Sequence, residues 1–284
     1  MSLAGQVCVV TGASRGIGRG IAIEQARAGG RMALLARSAE VEDVAHRINA
    51  SGGEARTYRT DILDAAALAA TIAAIEHDLG PISLLTNNAA SFYAIGPIWE
   101  VDPGTWWRDV ELNIRGTFLG CRAVLPGMLA RRQGRIINLT GGGTGTPFPY
   151  GSGYGTSKAG VLRFTESVSG TLEDTGVMIF AMDPGPVRTA MTEFQMTDAA
   201  GRKYLTDIAG LFERGIDVPP ALAGRLSVAI GSGRFDRLAG RMLFAARDDI
   251  DLTDAQIDEI LAQDLRTLRI NGTPDEHPYT GPRD

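Results

Sequence analysis

The sequence predicts an α/β protein, a doubly wound parallel sheet carried by a single domain. Three observations lead there. Short, β-rich, almost wholly apolar runs alternate with longer amphipathic segments, the pattern of strands buried on both faces and joined by crossover helices. Glycines punctuate the ends of the helical segments, at Gly29-Gly30, Gly52-Gly53, Gly80-Pro81 and Gly176, where a positive φ closes a helix. A glycine-rich turn also stands between the first apolar run and the first helical segment.

In chain order, the predicted strands are residues 6–11, 31–36, 55–60, 82–87, 135–140 and 177–182, with helices between them. The Pro219-Pro220 pair opens a further helix near 221–230, residues 241–246 read as a last strand, and 251–268 is polar and helical. Residues 271–284 form a Pro-rich tail. The expected organisation is a catalytic and cofactor-binding domain over 1–250, with 251–284 packed on it or on a neighbouring subunit.

Composition narrows the function classes. A chain of 284 residues with 44% hydrophobic content suits one sheet covered on both faces. The net charge of -5, with no basic run longer than Arg131-Arg132, argues against nucleic acid and against an anionic membrane surface. Cys8 and Cys121 fall in an apolar strand and a helix, as buried thiols do. The opening residues have no basic stretch before an apolar one, and no apolar run is long enough to span a bilayer. A cytoplasmic protein without a metal site is expected.

The first turn reads Gly12-Ala13-Ser14-Arg15-Gly16-Ile17-Gly18, after a strand and before a helix. Glycines permit positive φ and bring backbone N–H groups close to a pyrophosphate at the helix N-terminus. The spacing is Gly-x3-Gly-x-Gly, different from the Gly-x-Gly-x2-Gly of the general dinucleotide fingerprint. The same residues fit the Gly-x-Ser-x-Gly elbow of α/β-hydrolases, with Ser14 as nucleophile. That alternative lacks an earlier strand to supply the oxyanion loop, and His46, His77 and His277 have no context as a base.

Tyr154 and Lys158 lie four residues apart on a predicted helix and so share one face. At a gap of about 4 Å and an effective dielectric near 20, an ammonium stabilises a phenolate by roughly 4 kcal/mol, some three pKa units. The expectation is a phenol brought from about 10 to about 7, less whatever desolvation takes back. With the glycine turn, the pair suggests a redox enzyme. The second strand bears on which nicotinamide cofactor would bind. An acid about twenty residues beyond the glycines bonds the ribose 2′-hydroxyl in NAD-binding folds, but this strand ends Ala36-Arg37-Ser38. Arg37 offers a fork suited to a 2′-phosphate, and Ser38 adds a hydroxyl. NADP(H) is therefore expected over NAD(H).

These residues together resemble the classical short-chain dehydrogenase/reductase family, over roughly 5–246. Thr11 to Gly18 is similar to the family's cofactor turn, Asp61-Ile62 to its adenine-contacting pair and Asn87-Asn88-Ala89 to the signature after the fourth strand. Asn113 matches the catalytic helix asparagine, Tyr154-x3-Lys158 the active-site pair, and Pro184-Gly185-Pro186-Val187-x-Thr189 the segment over the nicotinamide carboxamide. The resemblance implies a Rossmann-like sheet of order 3-2-1-4-5-6-7, a bound nicotinamide cofactor, a carbonyl or secondary-alcohol substrate and a homotetramer or homodimer. It implies that Gly12, Ser14, Arg15, Gly16, Ile17, Gly18, Asn88 and the 184–189 segment hold the cofactor, with Arg15 close to Arg37. Tyr154 would exchange a proton with the substrate oxygen, Lys158 would lower its pKa and bind the ribose, and Asn113 would hold a water.

Three positions depart from the pattern. Gly141 stands where the substrate-orienting serine is expected, and Thr140 is the nearest hydroxyl to take its place. Ala90 replaces a glycine, and Phe180 an asparagine. Phe92, Tyr93, the 147–150 stretch, Met191, Phe194 and Met196 fall in segments that line the family's substrate pocket, which suggests an apolar or aromatic substrate. The alternative function is an NADP(H)-binding protein whose catalysis has decayed.

Overall fold

The computed structural model describes residues 1–247 and 249–269; the Pro-rich tail at 271–284 lies outside the described residues. Seven parallel strands form one sheet in the order β3-β2-β1-β4-β5-β6-β7. They are β1 (Val7–Thr11), β2 (Arg31–Ala36), β3 (Glu54–Arg59), β4 (Ile82–Asn87), β5 (Gly134–Leu139), β6 (Val177–Asp183) and β7 (Met242–Phe244). The chain reverses its direction of travel across the sheet between β1 and β4. At such a switch point the crevice beyond the strand C-termini is open to a ligand.

The alternation of side chains along each strand sorts the core into two layers. Cys8 and Val10 of β1, with Met32 and Leu34 of β2, pack under α1 (Gly16–Arg27), α2 (Val41–Ala50) and α10 (Pro220–Gly231). Val7 and Val9, with Ala33 and Leu35, face α3 (Ala65–Leu79) and α5 (Gly116–Arg131). Along α3, Leu68, Ile72, Ile75 and Leu79 recur on the helical period and are all buried. Cys8 and Cys121 are buried free thiols, their pKa values pushed up to about 12 by loss of water.

Between β4 and β5 the chain makes α4 (Pro103–Val110), capped by Asp102, then a π-helical segment over Glu111–Arg115 that leads into α5. The wide turn carries Asn113, and single π-turns of this kind gather at functional sites. After β5 comes α6 (Ser152–Thr171), the helix of Tyr154 and Lys158. Short helices α7 (Ala190–Thr197), α8 (Ala199–Tyr204) and α9 (Thr206–Glu213) follow β6.

The C-terminal helix is shorter than 251–268, since α11 spans only Asp254–Ala262. The chain beyond it runs beside the edge strand, where Met242 N–H donates to Arg266 O at 3.0 Å. Phe180, the departure from the family's asparagine, sits fully buried on β6 in the first core layer. An amide there would have to find partners among apolar side chains. Phe180→Ala is expected to cost about 3–5 kcal/mol of stability. Urea unfolding checks this, and a midpoint within error of the wild type would show that the site collapses around the gap.

Candidate active site

The C-terminal ends of β1, β2, β4 and β5 border a cavity of about 330 Å³ that runs from Arg37 and Asp61 at one end to Tyr154 and Phe92 at the other. Its floor is the glycine turn. Gly12 and Gly16 have φ of 65° and 55°, and a Cβ on Gly18 would stand 2.3 Å from Gly12 O. Helix α1 begins without a side-chain cap and without an acid in its first turn. Its first N–H groups and positive dipole end are left for an anion, and the glycines let that anion approach the backbone.

Asn88 ties the turn to the end of β4, its Nδ2 donating to Thr11 O at 2.9 Å and Gly12 O at 3.2 Å. Ser14, Arg15 and Ile17 line the same floor. At the outer end Arg37 faces Asp61 at 3.5 Å, both open to solvent, and Ser38 lies beside them on the cavity wall. Ile62 continues the wall. A carboxylate that the strand-end reading missed stands nearby: Ser38 Oγ donates to Glu40 Oε2 at 3.3 Å. Pro184 and Thr189 close the cavity from above, with Thr189 Cγ2 only 3.2 Å from where a Gly16 Cβ would lie. Gly185 and Val187 do not line it. Gly185 turns the chain at φ 77° with its N–H bonded to Asp183 Oδ1, and Val187 is buried.

The donor set suits a dinucleotide: an uncapped helix start, glycines without room for side chains, and cations at the outer end.

At the inner end Tyr154 stacks on Phe92 with ring centroids 4.6 Å apart and planes 14° apart. Lys158, fully buried, donates from Nζ to Leu139 O at 2.9 Å and stands 5.6 Å from the Tyr154 ring centre. The structure corrects the expected titration. Burial holds the Tyr154 phenol above its ordinary value, and the carboxylates of Asp183 and Asp109 add to the rise. Burial also lowers Lys158 to about 8. Both groups lose water on entering the site, and that loss outweighs the attraction that an exposed pair at surface dielectric would feel.

Thr140 is a second correction. It lines the cavity, but its hydroxyl donates to Met242 Sδ at 3.3 Å, toward β7 rather than toward Tyr154. Thr140 follows β5 and its N–H donates to Met182 O of β6 at 2.9 Å, while its hydroxyl reaches past that strand to Met242 of β7. Asn113 is fully buried and does not line the cavity. Its Nδ2 donates to Ser91 O at 3.0 Å and Ser157 Oγ at 2.9 Å, while its Oδ1 accepts from Ser91 N at 2.9 Å. Ser157 Oγ in turn donates to Tyr154 O at 2.7 Å. The Asn113 side chain thus clamps the loop after β4 to the helix of the tyrosine.

Sequence reasoning missed a residue of comparable reach. Asp109, 1% exposed, accepts from Ser91 Oγ at 2.6 Å, Tyr93 N at 2.7 Å and Ala94 N at 2.8 Å. It lies four positions before Asn113 and so on the same helical face, the one signal that could have found it.

Phe92, Phe148, Met191 and Phe194 gather with Tyr154 into a small apolar cluster at this end. Met196 is not among them. Among the described residues no histidine lines the cavity, and the hydrolase alternative finds no support there; His277 lies outside the described residues.

Known proteins match this arrangement. The short chain dehydrogenase family model matches residues 6–200. A short chain dehydrogenase of Monascus purpureus is 32% identical over 94% of this chain and 89% of its own. One from Pseudocercospora fijiensis is 35% identical over 66% of this chain, which spans 62% of that relative's length. A crystal structure from Beutenbergia cavernae with NADP bound at low occupancy superposes with a TM-score of 0.77, at 28% identity, covering 86% of this chain and 96% of that one. The class is that of NAD(P)-dependent oxidoreductases working on alcohol and carbonyl groups. Within it, the chain belongs to the short-chain dehydrogenase/reductase family, and the sheet order 3-2-1-4-5-6-7 matches the family's structures.

Proposed function

We propose that this chain interconverts a carbonyl and a secondary alcohol with NADP(H), Tyr154 acting as general acid and base. The observation that carries the reading is one continuous cavity with an uncapped helix start in its floor, Arg37 and Ser38 at its outer end and the Tyr154–Lys158 pair at its inner end. The nicotinamide supplies or takes the hydride when bound. Tyr154 Oη donates its proton to the carbonyl oxygen in reduction and takes it back from the alcohol in oxidation. A phenol kept protonated by burial is suited to the first of these. Lys158 Nζ would hold the cofactor ribose and favour the phenolate left after transfer. Asn113 and Asp109 keep the 91–94 loop and the tyrosine helix in register. The substrate is read as apolar or aromatic from Phe92, Phe148, Met191 and Phe194.

The reading takes 1–250 as the catalytic and cofactor-binding domain, with the C-terminal segment packed on it or on a neighbouring subunit; of that segment the described residues end at 269. It takes the protein as a cytoplasmic homodimer or homotetramer, which the exposed Trp107, Phe118 and Leu129 on α4 and α5 favour. Among the described residues no helix is long and apolar enough to cross a membrane. Oxidation and reduction of a ketone and secondary-alcohol panel, followed by the absorbance of the reduced cofactor, tests the activity. A protein that binds cofactor and turns over no member would stand as the decayed form.

Cofactor choice rests on Arg37, whose side chain is 72% exposed and paired only loosely with Asp61, at 3.5 Å. It is free to take a 2′-phosphate in a bidentate grip. Arg37→Ala is expected to weaken NADPH about tenfold or more and to leave NADH within about twofold, since a charged hydrogen bond contributes roughly 1.5–3 kcal/mol. Fluorescence titration of both cofactors checks this. Tighter binding of NADH than NADPH by the wild type would reverse the assignment.

A further inference from the structure

Position 141 is a glycine pressed against the catalytic phenol. A Cβ there would stand 2.6 Å from Tyr154 Oη, closer than real Cβ atoms approach, and 3.5 Å from Cζ, in ordinary contact. The phenol cannot simply swing aside, because its ring lies flat on Phe92 and edge-on to Phe148 at 6.2 Å. Phe92 in turn is held by its neighbours, since Asp109 grips Ser91 Oγ and the N–H groups of Tyr93 and Ala94. The tyrosine is wedged into space that any side chain at 141 would claim.

Three nearby hydroxyls donate elsewhere: Thr140 to Met242 Sδ, Thr144 Oγ1 to Gly141 O at 2.6 Å and Ser91 Oγ to Asp109. Ser152 Oγ is held at Trp106 Nε1, from which it accepts at 3.0 Å, and Tyr93 lines the same cavity. We infer that Gly141 is the specificity-determining position of this site: it gives its side-chain space to the phenol and brings no hydroxyl of its own, so one donor fewer reaches the substrate oxygen and the site selects ketones that are already electron-poor, such as vicinal dicarbonyl compounds. This rests on the proposed carbonyl–alcohol reaction.

The chemistry follows from the donor count. As hydride adds to the carbonyl carbon, the C=O π pair moves onto oxygen, and that oxygen takes the Tyr154 proton. Removing one of two donors from such an oxygen typically costs about 10²- to 10³-fold in rate. A substrate whose neighbouring carbonyl already withdraws electrons needs less help. A plain ketone loses the full amount.

The test compares 1-phenylpropane-1,2-dione with propiophenone in the wild type, in Gly141→Ala and in Gly141→Ser combined with Phe92→Leu. The wild type is expected to favour the dione at least a hundredfold in kcat/KM. Gly141→Ala should lower turnover of the dione at least tenfold and shift the ultraviolet titration of the phenol, read as a difference against Tyr154→Phe. NADPH affinity should stay within twofold. The double variant, where a smaller partner lets the ring tilt and a serine hydroxyl enters, should narrow the preference at least tenfold. Gly141→Ala with wild-type rates and an unmoved titration would overturn the inference. So would a wild type indifferent to the two ketones, or a Tyr93→Phe loss as large as that of Tyr154→Phe, which would assign a second donor. A wild type that binds NADPH and reduces no ketone counts instead against the proposed reaction, while the titration still judges the wedge.

Discussion

Tyr154→Phe is expected to lower turnover by about 10²- to 10⁴-fold, the usual worth of a positioned acid or base, and to leave cofactor binding and stability near those of the wild type. The separation of effects comes from the geometry. Phenylalanine keeps the ring that stacks on Phe92 at 4.6 Å, and the Ser157 bond is to the backbone oxygen of residue 154, not to the phenol. Only the proton is removed. Steady-state rates with the responsive ketone and NADPH titration by fluorescence measure the two halves. A variant keeping more than about a tenth of the activity would be incompatible with Tyr154 as the acid.

Lys158→Met is expected to abolish turnover at least a hundredfold and to weaken the cofactor, yet to make the protein more stable at neutral pH. The lysine is buried and its pKa lies at about 8, below its ordinary 10.5. The unfolded chain therefore holds one more proton than the folded one between those values. Stability of the wild type rises with pH across that window. Below about pH 8 the cost of the buried charge is fully present, of order 3 kcal/mol, and it fades as pH climbs toward 10.5. Methionine carries no such cost. Denaturant midpoints from pH 6 to 10.5 should show the variant ahead at the acidic end and the gap closing upward. A gap that stays constant over the range would mean that the lysine does not titrate low.

The fold was legible in the sequence almost to the residue. β2 and β4 fall where apolar runs bounded by glycine put them, β1 and β6 differ by a residue at one end, and β3 and β5 each begin and end one residue earlier. The last strand shrank more, from 241–246 to Met242–Phe244, because an edge strand has a partner on one side only and its length depends on what the chain beyond it does. The glycine turn was equally readable. Its glycines answer to local demands, a positive φ at Gly12 and Gly16 and no space at Gly18.

The site divides along another line. Which residues meet at the inner end followed from their order along strands and helices, and Tyr154, Lys158 and Phe92 do line one cavity. What each side chain does there was settled by neighbours far away in the chain. Thr140 turned its hydroxyl to Met242, Asp109 reached back to Ser91, and the phenol entered the space left by Gly141.

The titration of the pair was a tertiary matter too, since it depends on how much water the surrounding segments exclude. Periodicity and turn chemistry act over a few residues and can be read from them, so the sequence by itself determined the sheet, its helices and the glycine turn. Hydroxyl orientation, burial and the crowding at Gly141 depend on atoms brought together from distant segments, and only the tertiary structure decided them.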